Sequence, residues 1–157
     1  MKVTLIVVGR TVEAHFSAAI ADYLQRIQHY ISFTVEVIPE LKNTKKLTED
    51  QQREKEGELI LKALGAGDVM VLMDERGKEL RSVEFANWMS NKMNTVNKRL
   101  VFVIGGPYGF SQAVYGRAAE KLSLSKMTFS HQMVRLIFVE QFYRALSILN
   151  GSPYHHE

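Results

Sequence analysis

The sequence contains no cysteine among its 157 residues. Disulfide bonds, thiolate metal sites and cysteine nucleophiles are therefore excluded. Long apolar runs are also lacking, since none approaches the roughly 20 residues that a helix needs to span a bilayer. The N-terminal apolar segment is too short for the core of a signal peptide, and no small-residue cleavage site follows it. We expect a cytoplasmic protein that does not enter a membrane.

What is present is the composition of an ordinary globular protein. Hydrophobic residues make up 46% of the chain and charged residues 24%. A chain of this length buries one sizeable core, and no linker or low-complexity tract divides it. We therefore expect a single domain over residues 1–157.

The net charge of +3 is unevenly distributed. Residues 98–157 carry seven lysines and arginines against three acidic residues, whereas residues 1–97 carry thirteen against fourteen. The C-terminal part is therefore the basic one. A partner that carries phosphates is one interpretation, and an ordinary basic surface is the alternative.

Apolar, β-branched runs alternate with segments of helical periodicity. The predicted strands cover residues 2–8, 33–38, 68–73, 100–104 and 122–125. Helices are predicted over residues 13–30, 48–64 with Thr48 as the cap, from Ser82 as a cap, and 131–150. Such alternation favours an α/β fold, with a mostly parallel sheet and helices on both faces. The charged segment 74–80 is predicted to be a turn after the third strand, either plain or facing a ligand.

The fourth predicted strand runs directly into Gly-Gly-Pro-Tyr-Gly at residues 105–109. This turn lacks the Lys and Ser or Thr of a phosphate-binding P-loop, and it does not follow the first strand as a dinucleotide fingerprint would. A tight structural turn is one reading. The other is a backbone surface for an adenine or methionine moiety, at the sheet edge where small ligands bind.

The last predicted helix is apolar on nearly every side, from Met133 to Leu149. A helix of this kind must be covered on all sides. Because one side faces the sheet, we expect the other to face a second copy, giving a homodimer through the C-terminal helix.

Several stretches together resemble one family, the small SPOUT-class methyltransferases that modify N3 of a pseudouridine in large-subunit ribosomal RNA. They are VTLIVVGR, EKEGELIL, LMDERGKEL, FVIGGPYGF, LSLSKMTFSHQMVRLIFVEQFYRA and the terminal SPYHHE. These motifs span the chain in the family's order and spacing. Three positions depart from the family pattern: Met73 replaces Leu, Ser130 replaces Pro, and His156 replaces Lys or Arg.

The resemblance implies a SPOUT fold with a C-terminal trefoil knot and S-adenosylmethionine as methyl donor, without a metal. It implies that the cofactor is lined by Met73, Gly105, Leu124, Ser125, Lys126, Met127, Thr128 and Phe129. The substrate that it implies is the helix 69 loop of 23S ribosomal RNA, within the assembled ribosome rather than as naked RNA.

N3 of a pseudouridine is mostly protonated at neutral pH, so catalysis needs a base or a positive field. The catalytic candidates are His155 and His131 for the proton or for base contact, Arg135 and Arg144 for phosphate or imidate stabilisation, and Tyr154 for stacking. Plain surface or capping roles are the alternative for the histidines. Two other functions remain open: a SPOUT-type methyltransferase acting on another nucleotide, and a ribosome-binding protein without catalysis.

Overall fold

A computed structural model describes residues 1–156, in which strands and helices alternate. The strands are β1 (Lys2–Val8), β2 (Phe33–Ile38), β3 (Val69–Glu79), β4 (Arg99–Ile104) and β5 (Glu120–Ser123). The α-helices are α1 (Ala14–Ile27), α2 (Glu49–Lys62), α3 (Ser82–Thr95), α4 (Gln112–Arg117) and α5 (His131–Leu149). A short 3-10 helix, Thr44–Lys46, precedes α2. The predicted alternation is confirmed.

The five strands form one sheet in the order β2-β1-β4-β3-β5, and all neighbouring strands are parallel. The predicted α/β fold class is therefore confirmed. β3 lies between β4 and β5, so the carboxyl ends of these three parallel strands lie side by side along one edge of the sheet, where the loops leave it. Both loops that the sequence singled out begin at this edge.

Helices cover both faces of the sheet because its strands are apolar on both sides. On one face the side chains of Leu5 and Phe102 pack with Phe138 and Phe142 of α5. On the other face Ile6 and Val103 belong to the cluster that includes Ile60 of α2 and Val114 of α4. The sheet therefore lies between α1, α3 and α5 on one side and α2 and α4 on the other.

The prediction of a turn at residues 74–80 is wrong, because β3 continues to Glu79. Met73 and Lys78 both pair with Leu122 of β5, so the four residues between them bulge out of the ladder. Gly77 makes this close pairing with β5 possible. A Cβ atom there would lie 2.7 Å from backbone atoms of Lys121 and Leu122. Pairing with β5 therefore outweighs the local preference of a charged, glycine-containing segment for a turn.

Two helix starts were predicted from capping residues. Thr48 caps α2 as expected, and its hydroxyl oxygen accepts the Gln51 backbone N–H at 3.1 Å. Ser82 is the first residue of α3 rather than its cap. Its hydroxyl instead donates to Gln141 Oε1 of α5 at 2.7 Å, so this side chain joins two helices that pack on the same face.

Candidate active site

A cleft of about 940 Å³ lies at the carboxyl ends of β3, β4 and β5. It is bounded by the β3 bulge, the glycine turn after β4, the loop between β5 and α5, and the first turns of α2 and α5. Its volume falls within the range of about 300–1,000 Å³ that is usual for small-molecule sites. The position agrees with the rule that ligands bind outside the carboxyl ends of parallel strands.

The structure brings most of the predicted cofactor residues together in this cleft. Those that line it are Met73, Gly105, Leu124, Ser125, Met127, Thr128 and Phe129. Lys126 is the exception. Its side chain is 86% exposed, and its Nζ atom lies 3.7 Å from Glu79 Oε1.

Serine side chains shape the loop between β5 and α5. Ser123 Oγ donates to the Ser125 carbonyl at 2.9 Å, and Ser125 Oγ accepts the Met127 backbone N–H at 2.9 Å. Ser130 caps α5 by accepting the Met133 N–H at 3.2 Å. Its φ of −63° is the value that a proline would impose. The serine found in place of the family's proline therefore preserves the backbone at this exit.

The glycine turn forms one wall of the cleft, and the residues packed against it leave no room for side chains at Gly105 and Gly106. Gly109 has a φ of +79°, as expected for a turn of this composition. A Cβ atom at Gly105 would lie 2.9 Å from the Phe110 ring, and one at Gly106 would lie 2.4 Å from Glu56 Oε1. The backbone of this turn is consequently packed from behind and presented to the cleft.

Two cleft residues outside the predicted set are joined across it. The Tyr115 hydroxyl donates to Asp74 Oδ2, and Asp74 Oδ1 accepts the Arg76 N–H at 2.9 Å. Burial, followed by the bond to Asp74, raises the pKa of Tyr115 to about 12. The sequence signal for Asp74 was its place directly after a buried strand. Tyr115 gave no such signal, because only the fold brings α4 to β3.

Of the catalytic candidates on α5, His131 lines the cleft and Arg135 does not. The Arg135 side chain is buried and turns toward the segment after β1. It donates to the Val8 carbonyl at 2.7 Å and to Thr11 Oγ1 at 3.1 Å. Burial lowers its pKa. Arg135 therefore ties the first turns of α5 to the end of β1. In this conformation its guanidinium is not available to bind an RNA phosphate.

Tyr154 and His155 lie at the other end of α5, in a group that we call the C-terminal cluster: Tyr23, Tyr143, Arg144, Tyr154 and His155. The Tyr154 hydroxyl lies 3.1 Å from that of Tyr23, and its ring meets Tyr143 edge-on at 4.8 Å between centroids. Burial, followed by the bond to Tyr23, raises the pKa of Tyr154 to about 12. The end of the chain is thus docked on α1 and α5.

Arg144 connects the members of the C-terminal cluster. Its guanidinium lies 4.8 Å from the centre of the Tyr154 ring, and its Nη1 atom is 3.1 Å from His155 Nδ1. The same group pairs with Glu140 at 2.7 Å, one turn earlier on the helix. The hydrogen bond to Glu140 is the main reason that the pKa of Arg144 is raised. A fixed positive charge therefore lies beside an aromatic ring and an imidazole.

One chain does not bring all the catalytic candidates together. α5 has 19 residues, and a helix of that length spans about 28 Å. His131 lies at its first residue beside the cleft, whereas Tyr154 and His155 follow its last turn. Within a single chain the C-terminal cluster cannot reach a ligand in the cleft.

Within the described residues, 1–156, no group of three or more histidine, aspartate or glutamate side chains is placed to hold a metal ion. None of the helices in that range combines the length and apolar character needed to cross a membrane.

Comparison with known proteins identifies the family. A family profile described as "Predicted SPOUT methyltransferase" matches residues 1–155. The chain is 73% identical to proteins of Bacteroides fragilis and Bacteroides thetaiotaomicron, and 53% identical to one of Porphyromonas gingivalis. All three are named "Ribosomal RNA large subunit methyltransferase H", and each alignment covers 100% of both chains. The chain therefore belongs to the SPOUT methyltransferase family.

Proposed function

We propose that this protein transfers a methyl group from S-adenosylmethionine to N3 of a pseudouridine in the large-subunit ribosomal RNA of the assembled ribosome. The observation that carries the proposal is the cleft, where two loops present six of the expected cofactor residues beside the seventh, Met73 of β3. The names of the full-length relatives support ribosomal RNA as the substrate. We further propose that residues 1–157 act as one domain in the cytoplasm, where ribosomes are found.

The chemical character of the cleft fits this cofactor. Met73, Leu124 and Val134 give it apolar surface, while Asp74 and Glu75 place carboxylates at the β3 bulge. Negative side chains suit a cationic methyl donor better than a phosphate-bearing nucleotide. S-adenosylmethionine supplies a methyl group already activated by its positively charged sulfur. The protein must still hold the acceptor nitrogen in line with that methyl group. Orientation of this kind lowers the activation barrier by several kcal/mol.

The acceptor nitrogen must lose its proton as the new N–C bond forms. His131 borders the cleft and is exposed, so in our proposal it contacts the base or accepts this proton. His155 is the second candidate, and Arg144 beside it would favour the imidate form of the base. Tyr154 would stack on the nucleotide. Arg135 takes a different role in this scheme, because its contacts assign it to holding α5 against β1.

We propose that the complete site forms between two copies of the chain. Half-buried apolar residues remain on α5, including Leu136, Ile137 and Ile148. An antiparallel, two-fold contact of α5 with α5 would bring the C-terminal cluster of each subunit to the cleft of the other. Such a homodimer joins the two ends of α5, which a single chain keeps apart.

The test of the proposed function is labelled methyl transfer to ribosomes from a strain lacking this gene, followed by mapping of the modified nucleotide. We expect one labelled pseudouridine in large-subunit RNA, and much weaker labelling of naked RNA. Label at a different nucleotide would support another SPOUT specificity. A chain that docks on ribosomes but fails to bind S-adenosylmethionine would be a binding protein, and the methyltransferase proposal would be wrong.

A further inference from the structure

Glu56 is a buried carboxyl group for which the proposed reaction has no role. It lies on α2 with only 5% of its surface exposed, while Glu54 and Glu58 on the same helix are exposed. Carboxylates are rarely buried unless hydrogen bonds or charges compensate for the lost water. The groups around Glu56 therefore indicate why it is there.

The main contact of Glu56 is with the glycine turn. A Cβ atom at Gly106 would lie 2.4 Å from Glu56 Oε1, so the carboxyl occupies the space that any side chain at position 106 would need. The Gly106 backbone N–H lies close enough to this carboxyl to favour its ionised form, and Gln52 Nε2 donates to its Oε2 at 3.4 Å.

The charge of Glu56 is held in an unfavourable environment. Burial raises the pKa of its carboxyl, and Glu40 nearby adds to the rise, while the bonds from Gln52 and Gly106 oppose it. Glu56 therefore provides an acceptor for the backbone of the glycine turn, although burying its carboxylate costs desolvation free energy. An apolar side chain of similar size would leave the Gly106 N–H without an acceptor.

We propose that Glu56 is a positioning residue for the cofactor, which fixes the peptide between Gly105 and Gly106. The inference rests on the proposed binding of S-adenosylmethionine in the cleft. A trans peptide carries its N–H and C=O on opposite edges. Holding the Gly106 N–H against Glu56 therefore directs the Gly105 carbonyl away from the carboxyl. Gly105 lines the cleft, so this orientation presents its carbonyl as an acceptor to the ligand.

Substitutions at Glu56 distinguish positioning from a long-range effect of its charge. Glu56→Gln keeps an acceptor at the right distance, and Gln52 can turn its amide to match it. Glu56→Asp keeps the charge but withdraws the acceptor by one methylene. Glu56→Ala removes both. If Glu56 acts by position, the loss of affinity increases from Gln to Asp to Ala; if it acts by charge on a cationic ligand, Gln is worse than Asp.

The experiment is calorimetric titration of each variant with S-adenosylmethionine, with Glu58→Ala as an exposed control on the same helix. We expect Glu56→Ala to weaken binding about tenfold or more, Glu56→Asp several-fold and Glu56→Gln less than about threefold, with Glu58→Ala unchanged. Thermal unfolding without ligand and amide exchange at Gly106 are measured alongside. The Gly106 amide should exchange faster in the Ala and Asp variants than in the Gln variant.

Three results would contradict the inference. A folded Glu56→Ala with the affinity of the unchanged protein overturns it while leaving the proposed function intact. Tighter binding by Glu56→Asp than by Glu56→Gln assigns the effect to charge rather than position. If the unchanged protein itself fails to bind S-adenosylmethionine, the proposed function and the inference fall together. Should Glu56→Ala not fold, the order of the Asp and Gln variants still decides the question.

Discussion

At its N-terminal end α5 borders a cleft formed by strand-end loops, whereas its C-terminal end carries a cluster of aromatic and cationic side chains. The cleft is built by strand-end loops of one chain and is shaped by glycines and serines. The C-terminal cluster instead has a fixed charge beside aromatic rings in edge-on and tilted contact. In the function that we propose, this difference is a division of labour, in which one end of α5 holds the small molecule and the other meets the nucleotide.

Removing the charge of the C-terminal cluster should have the largest effect. We expect Arg144→Ala to slow methyl transfer to ribosomes about 100- to 1,000-fold, because a fixed positive group that stabilises developing charge is lost. Its partners Tyr154 and His155 lose their anchor as well. Affinity for S-adenosylmethionine, measured by calorimetry, should stay within about twofold. Lys126→Ala removes an exposed cation elsewhere and serves as control; an equal loss of rate there would refute a specific role for the cluster.

Breaking the cleft instead should destabilise the fold. Gly77→Ala places a Cβ atom 2.7 Å from the backbone of β5, which cannot yield as a side chain would. We expect its free energy of unfolding, measured with urea, to fall by about 3 kcal/mol, and cofactor binding to be lost with the β3 bulge. The matched control is Gly116→Ala in α4, where nothing lies within 4 Å of the added atom. That variant should be neutral or slightly more stable.

A change at the amino ends of β3 and β4, opposite the cleft, should affect stability without affecting the cleft or the C-terminal cluster. Asp68 pairs with Arg99 at 2.6 Å. Burial raises the pKa of Asp68, but the bonds from Arg99 and the Gly65 N–H, with Arg117 nearby, outweigh it and leave the pKa lowered. The ionised carboxylate therefore stabilises the fold above its ordinary pKa near 3.8, and this contribution is lost as pH falls through the lower folded value.

Asp68→Asn tests this pair. We expect it to cost about 2 kcal/mol at neutral pH and to flatten the acid limb of the stability curve. Urea unfolding from pH 7 to pH 2 measures both effects. Cofactor affinity and the rate of methyl transfer should not change, and a change in either would show that the far edge of the sheet is coupled to the site.

The smallest effect is expected at the exit of the β5–α5 loop. Ser130→Pro fits the observed φ but loses the cap to Met133. The gain in unfolded-state rigidity and the loss of the cap are each about 1 kcal/mol or less, so unfolding free energy should change by less than about 1 kcal/mol. Cofactor affinity should be retained. A tenfold loss would mean that the serine hydroxyl itself serves the ligand.

Much of the fold could be predicted from local patterns, because strands buried on both faces are apolar almost without interruption. The strand order could not, since it depends on pairings between residues far apart in sequence. β3 shows the limit clearly: residues 74–79 have the composition of a turn, yet Lys78 and Glu79 pair with the distant β5 after a four-residue bulge. The trefoil knot was inferred from resemblance alone and stays a prediction.

The candidate site was predictable to the extent that backbone loops follow strands. Side-chain direction was not predictable, and it decides the outcome for two basic residues. Lys126 lies within the loop between β5 and α5, yet its side chain points away from the cleft. Arg135 lies one turn from His131, yet it is buried against β1.

In our proposal the cleft of one subunit works with the C-terminal cluster of its partner, and mixed dimers test this directly. One subunit would carry Gly105→Val, whose side chain collides with the Phe110 ring and so distorts the glycine turn beside the cleft, and the other Arg144→Ala. Each homodimer should be inactive. If the site is shared between subunits, the mixed dimer keeps one intact site and should show about half of the normal methyl transfer to ribosomes. Activity no higher than that of the two homodimers would contradict the claim.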